Sequence, residues 1–435
     1  MASSNALKKD SNVSSYRWVV WGILVVVYLT VFFHRLSTGV IVGNLEEDFG
    51  MSATQIANLG SMYFYAYTVM QIPTGILVDY LGPKKTVIAG SVIAAAGSIM
   101  FSYSEVVVMA YISRLIVGLG VSVVFLSILK IQGNWFPPKE FATMSGVTSF
   151  VGSLGGLLAQ TPLIAVIGVI GWRWSFRAMG IVSVALAVLV MLFIKNRPGD
   201  MGLPEVNPIL MGGGDKATQK QESIPTQLGK IVKNPRIWGP AIAFGATNGA
   251  MLLFTGTFGV QYLVTTYAIE KTAAANIISL TLLCTGISCL LAGTISDRMK
   301  SRKKPMIGLA LLGLIGWVSL VFIKGPLSLA IAGALLIGFS GSIGVVCWSN
   351  GQEVCDPKVS GMAMSIVNVF GFLFAAVVPV ICGKVLDGNM AAGMDAISAF
   401  KGAFMVPVVS VVISLVFAFL AKETGAKNIY HETSN

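Results

Sequence analysis

Two adjacent residues, His34 and Arg35, interrupt an otherwise apolar stretch, Leu29-Thr-Val-Phe-Phe-His-Arg-Leu-Ser-Thr-Gly-Val40. A guanidinium fits a carboxylate or phosphate with two parallel hydrogen bonds, and an imidazole titrates near neutral pH. Together they offer an anion clamp and a proton carrier. A charge near the middle of a bilayer costs about 3 kcal/mol on insertion scales, so such a residue usually faces the protein interior and has a function. Neighbouring residues on a helix point about 100° apart, so both cannot face one cavity squarely. His34 therefore keeps three readings: proton carrier, hydrogen-bond partner of a substrate, or packing.

Arg35 lies about 25 Å along its helix from Trp18 at 1.5 Å per residue, too deep to reach water on that side easily. No Asp or Glu lies within the first six apolar runs; Glu105 and Glu140 sit at their ends and Asp79 at a mouth. An unpaired guanidinium facing a cavity would hold an anionic substrate. The alternative is a structural bond to helix-end carbonyls or to lipid headgroups.

Further candidates share the apolar runs. Arg114 and Lys130 are sixteen residues apart, hence about 160° apart in angle and ~24 Å in height on one helix. They serve separate places: Arg114 coupling or packing, Lys130 a second anion contact or an interfacial charge. Tyr63, Tyr67 and Gln71 are spaced by four and share a stripe of phenol and amide tips. Asn248, Gln261, Trp348, Asn350 and Asn368 are polar or amphipathic candidates for a substrate cavity in the second part of the chain.

The elements that must position these residues follow from composition. The chain has 435 residues, 55% hydrophobic and 11% charged, against about 25% charged in a soluble domain. Its apolar runs are long enough to span ~30 Å of hydrocarbon as helices and lack the alternation of an outer-membrane barrel. The sequence predicts spans near 18–42, 55–78, 85–103, 106–135, 141–168 and 173–194, then 237–267, 273–296, 305–323, 327–352, 359–386 and 398–421. Segments 1–17, 195–236 and 422–435 are polar. The expected fold is thus all-α, with a six-helix half at 18–194, a linker at 195–236 and a second half at 237–421.

Most of the 30 lysines and arginines fall on the side of the termini, which predicts a multi-pass protein of the cytoplasmic membrane with both termini and the linker inside. The net charge of +11 then belongs to topology, and nucleic acid is not an expected partner. The polar N-terminus and the length of the first apolar run argue against a cleaved signal peptide. Five cysteines, Cys284, Cys289, Cys347, Cys355 and Cys382, have neither disulfide nor zinc spacing. No nucleotide loop, metal cluster or catalytic triad is visible, so neither an enzyme nor a cofactor is expected.

The chain repeats itself. Gly75-Ile-Leu-Val-Asp79, followed by Lys84 and Lys85, answers Gly293-Thr-Ile-Ser-Asp297, followed by Arg298, Arg302, Lys303 and Lys304. Pro138-Lys139 answers Pro357-Lys358, Gly152 answers Gly371 and Pro162 answers Pro379 at a nearly constant offset, the mark of two homologous halves. Asp79 and Asp297 can cap helix ends as gates, with Lys84, Lys85, Arg298 and Arg302 beside them. Glu353 in Asn350-Gly-Gln-Glu-Val-Cys-Asp356 is expected in the same charged network.

These loops, Arg114-Leu-Ile-Val-Gly118-Leu-Gly120, Trp135-Phe136-Pro137 and the six-plus-six layout resemble the major facilitator superfamily over essentially the whole chain. The aromatic-rich first helix with its Arg resembles the organic-anion symporter branch. That resemblance implies that Arg35 binds the acid group of the substrate. Members of the branch commonly carry proton on an acid just before that Arg and on another in helix four, where this chain has His34 and Val121. The resemblance implies a monomeric secondary transporter working by alternating access. Proton-coupled import of a small organic carboxylate is the expected activity, with proton coupling at His34 and Arg114. Export of amphipathic compounds or siderophores, and amino-acid uptake, are the rival expectations.

Overall fold

The computed structural model describes residues 2–204, 206, 224–323 and 325–430, with side chains from Ser15 onward except at 72, 79, 138, 139, 141–143, 224, 225 and 358. Within these residues the chain is helical. The first half runs through α1 (Ala2–Leu36), α2 (Ala53–Leu81), α3 (Pro83–Ser102), α4 (Val107–Trp135), α5 (Pro138–Leu158) and α6 (Thr161–Phe193). The second runs through α7 (Pro235–Tyr267), α8 (Lys271–Arg298), α9 (Lys303–Phe322), α10 (Leu327–Glu353), α11 (Ser360–Ala391) and α12 (Ala396–Leu420). Among the described residues, 10 helices are long and apolar enough to cross a membrane, and Met144–Leu158 is a shorter apolar helix.

Two boundaries differ from the sequence reading. Helix α1 extends back through the polar N-terminal stretch to Ala2. The fifth span breaks early, at Ala159–Gln160, and helical structure resumes at Thr161. The reversal into the sixth span falls at Gly171, with φ 76° and ψ 162°, inside the gap the sequence leaves between 168 and 173. A Cβ makes that backbone costly, which is why glycine stands there.

The repeat has a packing counterpart. A Cβ on Gly152 of α5 would lie 2.2 Å from the Tyr28 ring of α1, and one on Gly371 of α11 would lie 2.2 Å from the Phe244 ring of α7. Likewise Gly118 of α4 lies under the Tyr63 carbonyl of α2, and Gly338 of α10 under the Thr281 carbonyl of α8, where a Cβ would come to 2.5 and 2.4 Å. Small residues let helices approach to backbone contact, which drives packing where lipid removes the hydrophobic effect between helices.

The interruptions are paired too. Helix α4 breaks at Val123 and α10 at Gly341–Ser342. Helix α1 ends in the 3-10 turn Ser37–Val40, and α7 widens to a π-helix over Phe254–Phe258. Those two irregular segments meet: a Cβ on Gly39 would stand 3.0 Å from the Gly256 carbonyl carbon. Backbone touches backbone here, between the halves.

Candidate functional site

Arg35 sits in the last turn of α1, half-buried where the halves meet. Its guanidinium carbon lies 4.5 Å from the Phe32 ring, 5.5 Å from Tyr67 and 5.4 Å from Phe372. Phe32 shares its helix, Tyr67 comes from α2, and Phe372 reaches over from α11 in the second half. Tyr67 and Phe372 pack at 4.2 Å between centroids, and the phenols of Tyr63, Tyr67 and Tyr28 surround the charge. The faces of these rings are electron-rich and favour a cation. Arg35 Nε has no hydrogen-bond partner, and Arg35 forms no ion pair among the described residues. The aromatic walls hold the guanidinium without neutralising it, so its attraction for an anion is kept.

The second arginine lies behind the first. Arg114 is 1% exposed; its Nη2 donates to the His34 carbonyl at 2.7 Å, and its guanidinium lies 5.6 Å from the Tyr63 ring. The helix ends two residues after His34, so that carbonyl lacks a full turn of donors ahead of it, and the arginine supplies one. Tyr63, whose hydroxyl donates to the Val31 carbonyl at 3.3 Å, stands between the two charges. His34 points away from Arg35 into this interior: it is fully buried, and neither ring nitrogen has a partner among the described residues.

Farther along α2, Gln71 Oε1 accepts from Asn368 Nδ2 of α11 at 3.0 Å. The spacing of four on α2 thus brings Tyr63, Tyr67 and Gln71 along one face at the seam with α11, with the two tyrosine rings 5.9 Å apart. Asn248 is near this seam, its amide donating to the Gly371 carbonyl at 2.9 Å. Trp348 packs against Phe244 at 5.4 Å, and its indole N–H has no partner among the described residues. Lys130 is exposed on the part of α4 beyond the break.

Two candidates stand elsewhere. Gln261 donates to Glu46 Oε1 at 2.9 Å, at the end of the molecule away from the termini. Asn350 is buried, its amide donating to the Lys422 carbonyl after α12 at 2.9 Å. Sequence reasoning missed Phe372 and Asp387. Phe372 follows Gly371, a repeat position, which is a weak signal. Asp387 had none.

Asp387 of α11 closes the far end. Its Oδ2 accepts from Ser52 Oγ at 2.8 Å and Thr54 N at 2.9 Å, and its Oδ1 from Ala53 N at 2.9 Å. These N–H groups open α2, where Ser52 and Gln55 also form a capping box, so a carboxylate from the other half meets the positive end of a helix. Thr161 to Asn276 at 2.5 Å and Gln160 to the Thr255 carbonyl at 3.3 Å add to the seal. Hydrogen bonds between the halves run from this end as deep as Gln71–Asn368.

The end bearing the termini carries a charged network within the second half. Arg302 donates to Asp297 at 2.6 Å and through two nitrogens to Glu353 at 2.8 and 3.0 Å. Arg298 is exposed beside it. Glu423, after α12, accepts from Ser301 Oγ and from Arg302 N, the latter at 2.9 Å. Burial alone would raise the Glu423 carboxyl, but bonds from Ser301 and the N–H groups of Arg302, Gly425 and Thr424 outweigh it and hold it at about 2. In the first half, Lys84 Nζ donates to the Met191 carbonyl at 2.8 Å and Lys85 is exposed. The side chain of Asp79 lies outside the described residues.

The model of the Major Facilitator Superfamily matches residues 23–379. The chain belongs to this superfamily. The facilitator is 22% identical over 85% of its length to a probable sulfoacetate transporter of Cupriavidus necator, 87% of which is covered. It is 23% identical to a probable L-galactonate transporter of Escherichia coli, over 81% of this chain and 79% of that one. It is 26% identical to a hexuronate transporter of Bacillus subtilis, over 83% and 84%. A solved bacterial homologue of the human lysosomal transporter Spinster, described as inward-facing and unoccupied, superposes with a TM-score of 0.76 at 16% identity, covering 93% of this chain and 97% of that one. The protein is a membrane transporter of this fold and not an enzyme.

Proposed function

We propose that the protein imports a small organic carboxylate across the cytoplasmic membrane by alternating access, together with a proton, with Arg35 as the anion clamp. The observation that carries this reading is Arg35 itself: a half-buried guanidinium between the halves, walled by aromatic rings and without an acid partner among the described residues. A planar fork in that setting binds a carboxylate through two charge-assisted bonds. The names of the relatives, transporters of sulfoacetate, galactonate and hexuronate, support an anionic substrate.

The bias of lysine and arginine supports placing both termini in the cytoplasm. With the opposite end sealed by Asp387, this conformation is then inward-facing. Tyr67, Gln71 and Asn368 would meet the rest of the substrate, Lys130 would draw anions toward the mouth, and Asn248 and Trp348 would line the second half. His34 would carry the proton: its imidazole is buried behind Arg35, and neither ring nitrogen has a partner among the described residues.

The test is a thermal-shift screen of the detergent-purified protein against monocarboxylates, dicarboxylates, sugar acids, amino acids, phosphate esters and organic cations, with Arg35→Gln alongside. A ligand at 100 times its Kd adds about 2.7 kcal/mol to native stability. Stabilisation by one carboxylate class that vanishes in the variant supports the clamp. Equal stabilisation of both proteins by cations or apolar compounds overturns it and favours export of amphipathic compounds.

A further inference from the structure

A groove of about 490 Å³ lies between α11 and α12, lined by Leu373, Val377 and Ile381 on one side and Met405, Val409 and Ile413 on the other. Several of these are among the exposed apolar residues, Ile381 at 46% and Val409 at 51%, so the groove opens outward. Ser410 is the polar residue in the lining, and its hydroxyl already donates to the Ala246 carbonyl at 2.8 Å. Water needs two to four polar partners to occupy such a space, and the groove offers none. In a bilayer the occupant of an outward-facing apolar groove is hydrocarbon.

The groove has a charged end. Asn389 Nδ2 donates to the Ala399 carbonyl at 3.0 Å and ties the two helices together there. Lys384 lies about 7.5 Å along α11 from Asn389 and Lys401 about 3 Å along α12 from Ala399, counting 1.5 Å per residue. The two lysines stand within one helical turn of each other in height, and Lys384, three residues after Ile381, and Lys401, four before Met405, share the helix faces of those lining residues. Neither forms an ion pair among the described residues. The acids of this region are committed: Asp387 to the start of α2, and Asp395 to the N–H groups of Ile397 and Ser398. Long ammonium side chains at this depth extend toward the headgroup layer.

We propose that this groove is a binding site for an anionic phospholipid, with an acyl chain between α11 and α12 and the phosphate held by Lys384 and Lys401. A zwitterionic lipid of the same chains fits the groove but brings a cationic group to the lysines. The site is separate from Arg35 and does not depend on which anion is carried.

The full-length protein, delipidated in detergent, is given phosphatidylglycerol or phosphatidylcholine of identical chains; the melting temperature and the lipid retained in native mass spectra are measured. Phosphatidylglycerol is expected to raise Tm by more and to stay bound. That preference should disappear in the Lys384→Gln/Lys401→Gln variant and persist when both lysines become arginine. Val409→Trp, which fills the groove, should lose retention of both lipids. Equal effects of the two lipids on the unaltered protein, a preference surviving in the glutamine variant, or retention undiminished in Val409→Trp would each overturn the proposal.

Discussion

Asp387 Oδ2 accepts a hydrogen bond from the backbone N–H of Thr54 at 2.9 Å, although the two residues belong to different halves of the molecule. A single carboxylate thus finishes the first turn of α2 from across the seam, together with Ala53 and Ser52. Any motion that opens this end must break three hydrogen bonds to this one carboxylate at once.

Asp387→Asn keeps the shape and removes the charge. Hydrogen bonds to charged groups contribute about 1.5–3 kcal/mol each, and 1.4 kcal/mol is a tenfold change in an equilibrium. The variant should shift at least tenfold toward the state open at the far end. Spin-label distances between the start of α2 and the end of α11 would show it; an unchanged distribution would mean the carboxylate contributes nothing to the seal.

At Arg35 the clamp reading separates charge from shape. Lysine keeps a positive charge but loses the fork. Arg35→Lys should raise the KM for uptake about tenfold and Arg35→Gln about a hundredfold or more, in line with charge-assisted bonds of roughly 1.5–3 kcal/mol apiece. If lysine and glutamine behave alike, charge is not what the site uses.

Glu423 sets a pH dependence. Its carboxyl is depressed from 4.5 to about 2, so its stabilising contribution is present above 4.5 and disappears as pH falls through about 2. The difference in Tm between the unaltered protein and Glu423→Gln should be constant at neutral pH and shrink between pH 4.5 and 2. A difference that stays level across that window would rule out an ionised Glu423 as the anchor of this segment.

Two alanine substitutions test the packing. A Cβ on Gly155 would lie 2.1 Å from the Leu29 carbonyl oxygen, whereas one on Gly168 meets nothing within 4 Å. Gly155→Ala should destabilise the first half by about 1–3 kcal/mol through overpacking, and Gly168→Ala should leave Tm unchanged or slightly higher. Comparable losses in both would show that the contact at Gly155 is not the cause.

Much of the architecture was legible because lipid imposes it. Backbone groups in hydrocarbon must pair within their own helix, so apolar runs read directly as helices, and a turn such as Gly171 fell inside a gap only a few residues wide. Arg35 was legible because a charge among Val and Phe is costly. Phe372 was not, because one phenylalanine among 23 announces nothing until α11 is laid against α2. His34 shows the same limit from the other side: its neighbour faces the seam, but the helical turn between them carries the imidazole to Arg114. Asp387 is an acid near a helix end like several others, and only the seam reveals what it caps.

The aromatic setting of Arg35 also bears on the membrane voltage. With no acid paired to it among the described residues, Arg35 brings one positive charge to the empty site; a bound monocarboxylate cancels that charge, and a proton carried on His34 restores it. A potential of 100 mV acts on one elementary charge with about 2.3 kcal/mol. On the proposed proton symport the field therefore acts alike on the empty and the loaded carrier, whereas carriage of the anion without a proton would make the return of the empty protein the voltage-sensitive half of the cycle.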